Sequence, residues 1–195
     1  MKKRSTYAVL VAAALVGLTS ASMVQTLRAE DGDSGSGLAA HYYQDPPHWN
    51  GAWPDAKPVP TANASAWTFT KYAYTRREPL VNHLFIREGW FTVRWQGSLS
   101  THPGHPDDAE AHDYNLTVWA DDGCRLIVDG TTLIDSWKAC SESSPDSRRS
   151  VTVTLTQGKH TLVLEYFQGQ SLKRDDADPV KLYWACTDRG IPEQI

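Results

Sequence analysis

Beyond the apolar run at residues 7–18, no stretch of this 195-residue chain repeats apolar residues at the three-and-four spacing of a helix of ordinary length. Helical bundles and helix-covered parallel sheets are therefore excluded as architectures. Positive charge is scarce as well. Nineteen Lys and Arg face 23 Asp and Glu, for a net charge of −4. Loss of Lys2, Lys3 and Arg4 with an N-terminal segment would take it to −7. Such a chain is a poor nonspecific ligand for nucleic acid or anionic lipid, and it suits a cation site. Apart from residues 7–18, no run is apolar enough to span a bilayer. A Ser-His-Asp signature, a Gly-rich phosphate loop and an internal repeat are all missing. Cysteine is limited to Cys124, Cys140 and Cys186, and an odd count leaves at least one thiol free or joined to another chain.

The first residues read as an export signal. Lys2-Lys3-Arg4 precedes the apolar run Tyr7 to Leu18, which is short for a membrane span, and Ser20, Ala21 and Ser22 follow. The expected signal covers 1–22, with a second cleavage option after Ala29 and an uncleaved anchor as the alternative. Export would put the chain in an oxidising compartment: secreted, periplasmic or on the cell surface. Residues 23–37, ending in a Gly-, Ser- and Asp-rich stretch, read as a flexible linker. One domain is expected over 38–188, with 189–195 as a tail.

Within the domain, period-two alternation dominates. Leu38 to Gln44 reads as a first strand, and residues 45–63, rich in Pro, Trp and Gly, as a long ordered loop. Ala66 to Lys71 reads as a short strand. Phe91, Val93 and Trp95 alternate with Thr92, Arg94 and Gln96; Leu116 and Val118 alternate with Asn115, Thr117 and Trp119. Arg125–Val128 and Thr132–Ile134 flank Asp129-Gly130, a hairpin-turn dipeptide. Val151, Val153 and Leu155 alternate with threonines, and after Gln157-Gly158-Lys159 the pattern resumes in Leu162, Leu164 and Tyr166, which reads as a second hairpin. Leu182, Trp184 and Cys186 share one face of the last strand. The expected fold class is all-β: an antiparallel, jelly-roll-like β-sandwich with no sizeable helix. Its expected core contains Leu116, Val118, Leu126, Val128, Leu162, Leu164, Leu182 and Trp184. With a two-residue turn at Asp129-Gly130, Cys124 would face Asp135 and lie a few residues from Cys140. A Cys124–Cys140 disulfide is the expected pairing, worth about 3 kcal/mol in the chain-entropy model.

The most informative pair is Asp121-Asp122, at the tip of one strand and just before Gly123. Carboxylate oxygens are what a hard cation such as Ca²⁺ prefers, so the pair is either a metal seat or a solvated turn.

The pieces Leu38-Ala39-Ala40-His41-Tyr42-Tyr43, Phe91 through Gly97, Tyr114 through Gly123, Arg125 through Gly130, Leu133 through Trp137, Gly158-Lys159-His160, Leu164 through Phe167 and Leu182-Tyr183-Trp184 occur in an order that resembles the protective-antigen (PA-fourteen) domain family. That family's β-sandwich occurs in a bacterial toxin protective antigen, in flocculation adhesins and inside some glycosidases. In its sugar-binding members the resemblance implies two consecutive aspartates, joined by a cis peptide, that hold a Ca²⁺ coordinating sugar hydroxyls. Asp121 and Asp122 occupy that place. The adhesins add an asparagine from a late loop. The corresponding residues 168–179 hold no Asn but offer Asp175, Asp176 and Asp178 as replacements.

Other constellations compete less well. His102, His105 and His112 share one Pro-rich loop with Asp107, Asp108 and Glu110, without a helix to align two imidazoles on a zinc ion. Glu165 and Asp135 meet the needs of a glycosidase only by residue type. Glu165 is expected to pair with a basic strand neighbour instead. Trp137 is the tryptophan best placed for sugar stacking, and Arg125, Lys173 and Arg174 could donate bonds to hydroxyls or to an acidic glycan. The expected function is an exported, non-enzymatic carbohydrate-binding module, Ca²⁺-dependent, whose partner is a glycan or cell-surface polysaccharide. A structural or protein-interaction module of the cell envelope is the alternative.

Overall fold

The computed structural model of the chain describes residues 37–45, 49–50, 57–58, 68–85, 90–101, 110–169 and 178–195. Its strands, in chain order, are β1 (Leu38–Gln44), β2 (Trp49–Asn50), β3 (Lys57–Pro58), β4 (Lys71–Glu78), β5 (Asn82–Phe85), β6 (Phe91–Thr101), β7 (His112–Ala120), β8 (Gly123–Val128), β9 (Thr131–Ser136), β10 (Arg148–Leu155), β11 (Gly158–Gln168), β12 (Asp178–Cys186) and β13 (Ile191–Gln194). Two antiparallel sheets pack as a sandwich. One has the order β4-β1-β6-β11-β8-β9, the other β10-β7-β12-β13 with β5 also paired to β12. Among the described residues the only helical segments are three-residue 3-10 turns at Pro145–Ser147 and Thr187–Arg189, and no helix is long and apolar enough to cross a membrane.

Strand alternation builds the core as expected. In β7, Leu116, Val118 and Ala120 point inward, and β12 sets Trp184, Leu182 and Val180 beside them. In the other sheet Leu162, Leu164 and Tyr166 of β11 lie between Val128, Leu126 and Cys124 of β8 and Gly97, Trp95 and Val93 of β6. All eight expected core residues are buried in one cluster. Each such aliphatic side chain contributes about 1.5–3 kcal/mol relative to exposure.

Several local expectations are corrected. The stretches Val151–Leu155 and Leu162–Tyr166 are not a hairpin: β10 pairs with β7 in one sheet and β11 with β6 and β8 in the other. The short connection around Gly158, whose φ is +137°, switches sheets instead of folding back. The β8–β9 hairpin does turn at Asp129 (φ +48°) and Gly130 (φ +75°), as a two-residue turn with both φ positive requires. An irregularity then skips Leu133, so Cys124 faces Ser136 and Asp135 faces Arg125. Lys71 opens an eight-residue strand instead of closing a short one. Residues 191–194, expected within a tail, form β13 against β12. The expected signal and linker up to residue 36 lie outside the described residues.

On the buried side of the β1–β4–β6 region, Glu78 is caged. Its carboxylate accepts from the Tyr42 hydroxyl at 2.6 Å, Trp95 Nε1 at 2.6 Å and the guanidinium of Arg76, and it pairs with His83 Nε2 at 2.6 Å. Burial alone would raise its pKa, but these bonds outweigh it and hold the group down at about 2.

Candidate functional site

β7 ends and β8 begins at the same end of the sandwich where β11 ends and β12 begins. The register from Val180↔Ala120 to Cys186↔Tyr114 fixes this, and Asp121 N–H donates to the Pro179 carbonyl at 2.9 Å. The Asp121–Asp122 peptide bond is cis. Three backbone amides grip the two carboxyl groups. Asp122 Oδ1 accepts from Cys140 N–H at 3.0 Å and Oδ2 from Gly169 N–H at 2.6 Å. Asp121 Oδ2 accepts from Glu142 N–H at 2.7 Å. The Tyr166 hydroxyl, reaching out of the core, bonds both the Asp121 carbonyl and Gln168 Oε1, and Gln168 Nε2 donates to Asp178 Oδ2 at 2.5 Å. Gly123 is required beside the pair. A Cβ there would sit 2.1 Å from Cε1 of Phe167, whose ring is held by Trp137.

Electrostatics set Asp122 apart. Burial first, then the charge of Asp121 and, more weakly, that of Asp178, push its pKa up to about 7 against the pull of the Gly169 and Cys140 amides. A hard cation would answer that like-charge crowding with the ligand chemistry it prefers. The two aspartates fit such an ion in charge and in donor type. Among the described residues, however, no three Asp, Glu, His or Cys side chains converge as a complete metal cage. Asp178 is buried and committed to Gln168. Asp175 and Asp176, the other expected ligands, lie outside the described residues, as do Lys173 and Arg174.

The remaining expected contacts are differently employed. Trp137 is only 6 % exposed, stacked on Phe69 and covered by the Arg125 guanidinium at 4.4 Å, so it is packing and not an open stacking platform. Arg125 belongs to a charge ladder across the outer face of the six-stranded sheet. There His41, Arg94, Glu165, Arg125 and Asp135 are register neighbours. Arg94 bonds Glu165 at 2.6 Å, and Arg125 bonds Asp135 at 2.9 Å. Glu165 thus has the basic strand neighbour expected of it. His112 is held by Asp188 at 2.8 Å, while His102, His105, Asp107 and Asp108 lie outside the described residues.

All three cysteines are free thiols. Cys124 and Cys140 share one partner: Arg149, on β10, donates from Nη1 to Cys124 Sγ at 3.4 Å and from Nη2 to Cys140 Sγ at 3.1 Å. Burial pushes the Cys124 thiol up to about 11, with Arg149 pulling the other way. Sequence reasoning missed Arg149, Tyr166 and Gln168. Tyr166 carried a signal, being an inward position of a strand with a polar tip that needs a partner. The gripping amides of Cys140, Glu142 and Gly169 carried none.

Comparison with known proteins places this geometry in context. Anti-sigma-I factor RsgI3 of Acetivibrio thermocellus is 28% identical over 109 residues, covering 51% of this chain and 15% of that protein. A solved anti-sigma factor domain-containing protein shares the fold at a TM-score of 0.57 and 23% identity, over 82% of this chain and 44% of its own. The chain thus spans less than half the length of either. The A domain of epithelial adhesin 9 from Candida glabrata, solved in complex with Galβ1-3GlcNAc, shares the fold at a TM-score of 0.52 and 10% identity, over 87% of this chain and 95% of its own. The family model described as PA14 domain matches residues 87–195, more than half of the sequence, including β7 and β8, which flank Asp121-Asp122, and β12, which begins at Asp178. The chain belongs to the PA14 domain family.

Proposed function

We propose that the chain is an exported carbohydrate-binding module whose ligand seat is the Asp121–Asp122 end of the sandwich, with Ca²⁺ held by that pair. The observation that carries the reading is the pair itself: two adjacent carboxyl groups at a strand tip, gripped by three backbone amides and crowded by Asp178. Asp121 and Asp122 would hold the ion, with Asp175 or Asp176 completing its oxygen set. A bound Ca²⁺ would supply open coordination positions for sugar hydroxyls. The amides of Cys140, Glu142 and Gly169 orient the two carboxyl groups, and the Tyr166–Gln168–Asp178 chain ties the start of β12 to the Asp121 backbone. The adhesin fold relative solved with a disaccharide supports the glycan, and the basic, apolar, small-residue start of the sequence supports export.

Binding only the folded state, Ca²⁺ should raise the melting temperature by an amount that grows with free ion. In chelator, Asp122 gives a signed pH signature. Its folded pKa lies above the ordinary 3.8, so the native state holds the extra proton and stability falls as pH rises from about 4 to about 7. Calcium should flatten that fall. Asp122→Asn should weaken the calcium shift and calcium-dependent binding on a glycan array together. Equal melting in Ca²⁺ and chelator, with Asp122→Asn leaving glycan binding untouched, would refute the reading.

The anti-sigma-I relative favours a second reading, a protein-interaction module of the cell envelope. It predicts glycan-independent behaviour and takes over on that refuting result.

A further inference from the structure

We propose that Cys124 and Cys140 form a redox latch on the Asp121–Asp122 seat: oxidation to a disulfide locks the loop whose amides hold the two carboxyl groups, and reduction releases it. The consequence for ligand rests on the binding reading above; the latch itself does not.

Four observations converge. Arg149 Nη1 and Nη2 donate to the two sulfurs, so one guanidinium bridges both thiols. Arg149 arrives from β10 in the opposite sheet, and among the described residues its Nε is buried without a hydrogen-bond partner, while its terminal nitrogens bond the two sulfurs and the Ser147 carbonyl. Cys140 is anchored at the seat by its own backbone, donating N–H to Asp122, and its thiol lies 3.3 Å from the Asp122 carbonyl and 3.5 Å from that of Ala120. Two residues on, Glu142 N–H holds Asp121. A bond at Cys140 therefore acts directly on the segment that orients both carboxyl groups.

The chemistry is thiol–disulfide exchange with an external disulfide as oxidant. Cys140, the more exposed of the two, attacks as the thiolate, forms a mixed disulfide and expels one thiol of the oxidant. Cys124, fully buried on β8, then gives up its proton and attacks the Cys140 sulfur, expelling the second thiol. Two S–H bonds are lost and one S–S bond is gained, while the oxidant's disulfide becomes two thiols. Arg149 gives up its hold on both sulfurs as they approach each other. Cys186 takes no part: it sits at the far end of β12, opposite Tyr114 and bonded to Asp188.

The test uses the full chain, reduced with dithiothreitol and then exposed to oxidised glutathione. Mass mapping should find Cys124 joined to Cys140, with Cys186 still open to alkylation after denaturation. The bridge should raise the melting temperature by about 6–12 °C. Amide hydrogen exchange at Cys140 and Glu142 should slow by an order of magnitude or more. Cys140→Ser should show neither change under the same oxidant; if that variant does not fold, the reduced and oxidised wild type decide alone. A bridge to Cys186, a glutathione adduct at Cys140 that never resolves onto Cys124, or a Cys124–Cys140 bridge that leaves exchange at Cys140 and Glu142 unchanged would each overturn the latch. None of these measurements involves an ion or a glycan, so failure here leaves the binding reading standing, and failure of that reading leaves the latch standing.

Discussion

Glu78→Gln should be among the most damaging single-atom changes in this domain. Glu78 ends β4 at the buried side of the sheet, 4 % exposed, with Tyr42, Arg76, His83 and Trp95 directed at its two oxygens. A glutamine keeps the shape but turns one acceptor into a donor, which then faces donors and leaves at least one of them unpaired. The charge that balanced Arg76 is also lost. The Arg76 side chain is half exposed, so the main loss is a buried donor left unpaired, which costs about 1–3 kcal/mol and more where a charged group is involved.

The pH dependence gives an independent figure. The folded carboxylate titrates at about 2 against an ordinary 4.5, so at neutral pH it contributes about 3 kcal/mol of stability. A depressed acid contributes fully above its unfolded value and loses the contribution as pH falls toward the folded one. The window is therefore about pH 4.5 down to about 2. Urea unfolding of wild type and Glu78→Gln at several pH values between 7 and 2.5 measures both quantities. Subtracting the two curves removes the exposed acids Asp129, Asp146 and Asp188, whose pKa values are also lowered. The stability gap should be about 3 kcal/mol or more at pH 7 and should narrow steadily below pH 4.5. A gap under about 1 kcal/mol at pH 7, or one that stays constant down to pH 2.5, would show that the four donors do not stabilise the carboxylate as argued.

Leu164→Ala, at a fully buried position between β6 and β8, should cost about 2–5 kcal/mol in urea unfolding, and a loss under about 1 kcal/mol would contradict a packed two-sheet core. Gly123→Ala should cost about 1–3 kcal/mol, because its methyl would enter the Phe167 ring; Phe167→Leu in the same chain should recover part of that loss, and no recovery would mean that the ring is not the obstacle.

The sequence disclosed those parts of the fold in which one face is dry. Leu116 and Val118, or Leu162 and Leu164, alternate with polar neighbours because each strand has a core side and a water side, and their burial follows. β4 escaped notice for the opposite reason. Residues 71–77 are all exposed, so Tyr72, Tyr74 and Arg76 show no apolar stripe to read. The β10–β11 connection misled because a Gly between two alternating runs looks the same whether the chain folds back or crosses to the other sheet. Leu133 shifted the β8–β9 register by one residue with no local sign. One residue was enough to turn Asp135 toward Arg125 and Cys124 toward Ser136.

The candidate site divides along a similar line. Asp121 and Asp122 were legible because their chemistry resides in side chains and their position at a strand end follows from the alternation before them. What orients them is backbone: the amides of Cys140, Glu142 and Gly169, from segments 18, 21 and 47 residues away. An amide donor has no residue type, so no spacing rule finds it. Its placement depends on the side chains that fix the segment's path. For the 140–142 segment those include Arg149 on the two sulfurs and Ser147, whose hydroxyl donates to the Glu142 carbonyl at 2.8 Å. Ser147 and Arg149 thus act on the carboxylate pair through the Cys140–Glu142 segment. A substitution at Ser147 or Arg149 should reach the seat through the Cys140 and Glu142 amides, whereas one at Asp135, tied into the outer ladder by Arg125, should not.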